Sequence, residues 1–201
     1  MKKLKSTLPN MVTVLTSISV IAGLALGYVN SITASPIEEI KAQQLAEGIK
    51  AVLGADELTV DEPDTLENGA IRYNTDKGVA IQTTDPNGFG GKLTVLVGFN
   101  DEGFIQGYRV LETAETPGLG AKAGEWFQKG QKGDIIGKKA GNLTVTKDGG
   151  EVDAITASTI TSRAFLRCVN AAYASLAENK EDAQTGASVQ QCNKEEEVTN
   201  E

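Results

Sequence analysis

Leu93-Thr94-Val95-Leu96-Val97, then the turn residues Asn100-Asp101-Glu102-Gly103, then the returning segment Phe104 to Leu111, is the stretch that decides the fold. A short apolar run closed by turn residues predicts a buried strand and a hairpin. Working outward, Ile71 and Tyr73, then Val79 and Ile81, alternate as strands do, so a sheet begins near Ala70. Asn142-Leu143-Thr144-Val145-Thr146 predicts a further strand, with Asp148-Gly149-Gly150 as its turn. Connections this short predict antiparallel pairing. A helix is then expected from about Thr159 to Leu176, with Ile160, Ala164, Phe165, Cys168, Ala172 and Leu176 on one stripe.

Upstream of the sheet, no charged residue stands between Lys5 and Glu38. Met11 to Ile32 is rich in Val, Leu, Ile, Ala and Gly, and as a helix it would span about 33 Å, enough to cross a bilayer. Its Ser and Thr hydroxyls can bond to carbonyls of their own helix. A cleaved signal peptide is the alternative reading, disfavoured because the apolar run is too long and no clean cleavage site follows it. Lys2, Lys3 and Lys5 predict a cytoplasmic N-terminus, with everything after about Thr33 outside. Beyond Pro36, the residues Ile37, Ile40, Leu45, Ile49, Val52 and Leu53 fall near one helical face, and Gly54 is a natural stop.

The expected organisation is therefore α+β. It comprises a cytoplasmic N-terminus over 1–10, a transmembrane helix over 11–33, an amphipathic connector over 34–69, a domain with a twisted antiparallel sheet and flanking helices over 70–177, and a disordered acidic tail over 178–201.

Composition removes several classes of function. The 201 residues carry a net charge of −8 and no basic cluster beyond the first few residues, which argues against nucleic acid as a partner. With no histidine, a Ser-His-Asp triad, a His-ligated metal and a His-ligated haem are excluded. Two cysteines cannot hold a cluster that needs four thiolates, and no metal site is expected. Redox chemistry in this chain would need an organic cofactor. Cys168 and Cys192 could pair in an oxidising compartment, but Cys168 lies on the apolar stripe, where a free thiol packs well.

Three segments could carry chemistry. In Asp153-Ala154-Ile155-Thr156-Ala157-Ser158-Thr159-Ile160-Thr161-Ser162, five of the last seven residues bear hydroxyls. They are either an over-supplied helix cap or the rim of an anion site at a helix N-terminus. In Glu115-Thr116-Pro117-Gly118-Leu119-Gly120, Pro117-Gly118 predicts a type II turn. Gly88-Phe89-Gly90-Gly91-Lys92 is glycine-rich, but a strand follows it where a phosphate loop needs a helix. Each of the last two is also consistent with a plain turn.

Taken in chain order, Gly88-Phe89-Gly90-Gly91 first, Glu115 to Gly120 second and Asp153 to Thr159 third, the segments resemble the FMN-binding domain family whose members include the RnfG and NqrC subunits of membrane redox complexes. The resemblance covers about Ala70 to Leu176, and the N-terminal anchor agrees with it. It implies FMN esterified through its phosphate to Thr159, attached by a separate flavin transferase that uses FAD and Mg²⁺. It also implies cofactor-binding roles for Asp153, Thr156, Ser158, Glu115, Thr116, Gly118, Leu119, Gly120 and Gly90, with the ring near Gly90 and Gly118 to Gly120. The Rnf type is preferred because NqrC chains carry longer insertions. Its implied role is electron transfer in an ion-pumping ferredoxin:NAD oxidoreductase beside other subunits, as a relay and not a catalyst alone. The alternatives are an NqrC-like subunit of a sodium-pumping NADH:quinone reductase, or an anchored ligand-binding module without covalent cofactor. The family's Gly-Ala within the third motif is Ala157-Ser158 here, and a histidine often found before the second motif is Thr113.

Overall fold

The structure, a computed structural model, describes residues 8–55 and 57–196, with side chains described to Ala177 except Ser35. Lys2, Lys3, Lys5 and the last five residues lie outside it, as does the side chain of Cys192. The chain divides into two units, residues 1–44 and 45–201.

Helix α1 (Leu8–Leu53) contains Pro36 without interruption, so the expected membrane helix and connector are one element. Its N-terminal part is long and apolar enough to cross a membrane. Apolar side chains there face outward from Leu8 to Ile32, Leu24 being 71% exposed. Ile37 and Ile40 are exposed too, so the connector's apolar face is buried only from Ile49 on, with Leu45 partly buried beside it. Gly54 takes φ 65°, and the Ala55 N–H donates to the Lys50 carbonyl at 3.1 Å, a left-handed glycine stop.

In the second unit, five antiparallel strands lie in sequence order: β1 (Asp64–Thr65), β2 (Ile71–Thr75), β3 (Gly78–Asp85), β4 (Leu93–Phe99) and β5 (Ile105–Thr113). Every residue of β4 is buried, because both faces of the sheet are covered. On one face, Leu93, Val95, Val97 and Phe99 pack with Phe165, Val169 and Ala172 of α3 (Thr159–Glu196). On the other, Leu96, Ala80 and Tyr73 meet Ile49, Val52 and Leu53 at the end of α1. Paired Gly98 and Gly107 make room there, since a Cβ at either would lie 2.6 or 2.9 Å from the Val52 carbonyl oxygen.

Three expectations are corrected. No strand forms over 142–146: Val145 makes one isolated parallel bridge to Val152, and Thr146–Asp148 is a 3-10 turn. The Asp148 and Gly150 N–H groups both donate to the Val145 carbonyl, at 2.8 and 3.1 Å, so the chain closes into a tight turn there in place of a ladder. The acidic segment from Glu178 is helical to Glu196, its Ala, Glu, Lys and Gln content favouring the continuation of α3. Ile160 is exposed, and Thr161 and Ser162 take the inward positions of the first turn of α3. Cys168 is a free, buried thiol, and its burial foremost pushes its pKa up to about 12.

Candidate functional site

The three motif segments meet at one cleft of about 290 Å³, lined by Phe89, Glu115, Thr116, Leu119, Gly120, Ala157, Ser158, Thr159 and Ile160. They reach it from the β3–β4 loop, the segment after β5, and the start of α3. Long-range bonds hold the segments in register. Arg167 of α3 donates to Asp85 at 2.6 Å, and the Asn87 N–H donates to the same carboxylate at 2.7 Å, fixing the approach to Phe89. Burial alone would raise the Asp85 pKa, but the Arg167 and Asn87 bonds outweigh it and hold it below the ordinary value. Tyr108 donates to the Ala123 carbonyl at 2.8 Å, tying helix α2 (Ala123–Trp126) to β5. Trp126 Nε1–H donates to the Asp153 carbonyl at 2.8 Å and ties α2 to the third motif.

One wall is built around Glu115, a carboxylate that is 7% exposed. The Phe89 N–H donates to its Oε1 at 2.8 Å, while buried Oε2 has no partner. Gly120 lets the carboxylate in: a Cβ there would lie 2.5 Å from Oε2 and 2.8 Å from Thr161 Oγ1. Thr116 to Leu119 form the expected type II turn, with Gly118 at φ 79° and the Leu119 N–H donating to the Thr116 carbonyl at 3.1 Å. Thr113 Oγ1 accepts the Glu115 N–H at 3.2 Å.

The opposite wall is the start of α3, where the hydroxyls bond mainly to one another. Ser158 Oγ and Thr161 Oγ1 are 2.9 Å apart. Ser162 Oγ donates to the Ser158 carbonyl at 2.9 Å and accepts the Ile155 N–H. Thr159 Oγ1 accepts from Lys147 Nζ at 3.0 Å. No hydroxyl of the cluster takes the N–H of Thr159, Ile160 or Thr161, so the capping alternative leaves these donors unsatisfied. An anion at this terminus would accept from them and interact favourably with the helix dipole.

Of the residues expected at the site, Glu115, Thr116, Leu119, Gly120, Ser158 and Thr159 line the cleft. Gly118 shapes the turn behind it. Asp153 and Thr156 are exposed and outside the lining. Gly90 is absent from the lining too: its bare side faces the Ala114 carbonyl, so it serves contact between chain segments. Sequence reasoning missed Ile160 and Phe89, which are 49% and 68% exposed and give the cleft an apolar rim. It also missed Lys147, whose proximity to Thr159 no local pattern announces.

Ala157 has φ 61°, the one non-glycine at positive φ among the described residues. An L-residue there costs roughly 1–2 kcal/mol, and glycine returns part of that gain as unfolded-state entropy. Ala157→Gly should therefore stabilise the domain by about 0.5–1 kcal/mol, as thermal unfolding would show; a lowered Tm would mean that the backbone is unstrained.

A buried acid with a free oxygen, an apolar rim and an uncapped helix start suit a ligand with a planar apolar part, a hydrogen-bond donor and a phosphate. Residues 88–174 match the family model described as an FMN-binding domain, so the cleft lies in a flavin-binding module. The G subunit of the Na(+)-translocating ferredoxin:NAD(+) oxidoreductase complex of Acetobacterium woodii is 33% identical over 76% of this chain and 84% of its own length. The G subunit of the ion-translocating oxidoreductase complex of Salmonella typhi is 35% identical over 72% and 79%. Its counterpart from Shewanella piezotolerans is 32% identical over 72% and 69%. The chain belongs to this family of G subunits of ion-translocating oxidoreductase complexes. With its apolar helix, it is a membrane protein.

Proposed function

We propose that this chain is an electron-transfer subunit of an Rnf-type ferredoxin:NAD oxidoreductase complex, with FMN esterified through its phosphate to Thr159. What carries the proposal is the convergence of all three motif segments on one cleft, with Thr159 Oγ1 at its edge. When bound, FMN accepts and passes on electrons one or two at a time. Phe89, Leu119 and Ile160 offer apolar surface to the ring, all three being exposed. Glu115 Oε2 accepts a hydrogen bond from the ligand, which satisfies an otherwise orphaned buried oxygen. The N–H groups at the start of α3 bind the phosphate. A flavin transferase supplies the group, and donors and acceptors sit on other subunits. Lys2, Lys3 and Lys5 keep the N-terminus cytoplasmic, which places the domain on the far side of the inner membrane.

The chain acts as a relay. Its glycine-rich loop at 88–91 leads into strand β4 and offers no helix N-terminus for a dinucleotide. Purified full-length chain in detergent should give a fluorescent band on a denaturing gel. Its flavin should be reduced by dithionite and not by NADH. A dark band would favour a ligand-binding module without covalent cofactor, and NADH turnover near ~10 per second, typical of enzymes, would exclude a relay.

A further inference from the structure

Thr159 has a cationic neighbour that neither the motifs nor the family description assigns. Lys147 lies on the 3-10 turn Thr146–Asp148, twelve residues before Thr159, and its Nζ donates to Thr159 Oγ1 at 3.0 Å. The turn is firmly made: the Thr146 N–H donates to the Val152 carbonyl at 2.9 Å and the Asp148 N–H to the Val145 carbonyl at 2.8 Å. It is also pinned to α3. Arg163 donates to both oxygens of Asp148, Nε at 2.7 Å and the terminal nitrogen at 2.6 Å. Arg163 is one helical turn beyond Thr159, so the two contacts lie on one face of α3. Turn and helix are thus bracketed at two adjacent points, Lys147 to Thr159 and Asp148 to Arg163.

The pairing is unusual for an ordinary surface. Asp148 is the immediate neighbour of Lys147, yet it is taken by Arg163. The lysine is left on a neutral hydroxyl, with no ion pair among the described residues. The fork-shaped group does the holding, and the point charge is presented to the hydroxyl. A lysine ammonium is a compact three-donor cation suited to phosphate oxygens. The unsatisfied N–H groups at the start of α3 add partial charge of the same sign beside it.

We propose that Lys147 is the phosphate-binding cation of the flavin attachment site, held there by the Asp148–Arg163 pair; this rests on Thr159 being the attachment residue. In the attachment step, Thr159 Oγ bonds to the flavin-side phosphorus of FAD, and the bond from that phosphorus to the bridging oxygen breaks. AMP leaves with that oxygen, the hydroxyl proton passes to a base on the transferase, and no electrons are exchanged. Lys147, as an ammonium, cannot be that base; it pairs with the phosphate oxygen. The flavin-side phosphate carries one negative charge before transfer and one after it, so a single cation serves substrate and product alike. Asp148 and Arg163 are positioning residues.

The test is transferase labelling of full-length chain with FAD and Mg²⁺, followed by gel fluorescence and by the intact mass of the adduct. Lys147→Gln should slow labelling by at least about tenfold, the effect of losing one charge-assisted bond. Lys147→Glu should slow it further, and Lys147→Arg should retain most of the rate. Asp148→Asn should slow labelling while Lys147 is still present. Added salt should slow the wild type more than Lys147→Gln. Thermal unfolding should be unchanged in the Lys147 variants, because the side chain is exposed; Lys147→Met, which keeps the stem, replaces Gln should that variant misfold. Wild-type labelling of Lys147→Gln, or an Arg variant as slow as Gln, would overturn the proposal. Thr159→Ala separates the two ideas. An unlabelled Thr159→Ala beside a normally labelled Lys147→Gln leaves the attachment residue standing and removes Lys147. A labelled Thr159→Ala removes both.

Discussion

Thr159→Ala is expected to give a folded, colourless protein whose denatured band shows no flavin fluorescence and whose intact mass carries no FMN. The loss should be complete because the neighbouring hydroxyls are buried and bonded or outside the cleft; Ser158, which lines it, is only 8% exposed and its Oγ lies 2.9 Å from Thr161 Oγ1. Thr161 is fully buried, its hydroxyl engaged by Ser158 at 2.9 Å. Thr156 is exposed but lies outside the cleft lining. Ser162 is buried, and its hydroxyl bonds to the Ser158 carbonyl and the Ile155 N–H. Folding should survive, since Thr159 is the first residue of α3 and alanine is a good helix former. Thr159→Ser keeps the hydroxyl and should still be labelled. An FMN adduct persisting on the alanine variant would show that attachment lies elsewhere.

Gly90→Ala is expected to have the largest effect on stability. Its Cβ would land on the Ala114 carbonyl oxygen and within 3.0 Å of Glu115 Cα. Both obstacles are backbone, so no rotamer change can absorb the clash, and the 88–91 loop or the 114–115 segment must shift. Either shift pulls the Phe89 N–H away from Glu115 Oε1, a 2.8 Å bond to a buried carboxylate. Overpacking plus the lost bond should cost about 3–5 kcal/mol, enough to lower Tm by roughly 6 °C or more. Labelling at Thr159 should fall with it, because the same shift deforms the cleft. Gly124→Ala is the control: its Cβ would meet nothing within 4 Å in helix α2, and its Tm should be unchanged or slightly raised. Equal Tm values for the two variants would refute this account of Gly90.

Strands β2 and β3 were legible because side chains alternate, β4 because it is a short apolar run, and β5 because a turn with Asn, Asp and Gly reverses the chain before it. Asn100 and Gly103 behave as expected, the Gly103 N–H donating to the Asn100 carbonyl at 2.9 Å with φ 85°. The type II turn at Pro117-Gly118 was legible for the same reason, since proline and positive-φ glycine specify it locally. The segment around Val145 was misread because its composition suits a strand, while its turn is too tight for a ladder. Ile160 was misread because helical period places a residue on a face without saying what that face meets. In the first turn of α3 the inward side takes hydroxyls, and the apolar residue borders the cleft. Nor does period tell how much of α1 is packed: Ile37 and Leu45 share a pattern, yet Ile37 is exposed and Leu45 packs under the sheet. Lys147 and the free oxygen of Glu115 were invisible because both depend on pairings between distant segments.

The double covering of β4 bears on where this protein can be cut. Ile49, Val52 and Leu53 belong by sequence to the long N-terminal helix, yet by packing they close the second core beneath Tyr73, Ala80 and Leu96. A soluble fragment for spectroscopy should therefore begin upstream of Leu45, within the exposed stretch that follows the apolar run. A fragment beginning at Ala55 would lack those three side chains and bare an apolar sheet face. It would be prone to aggregate even with every motif residue of the flavin cleft retained. Protease trimming obeys the same boundary: release on the N-terminal side of Leu45 yields an intact domain, and release after Leu53 removes part of its core.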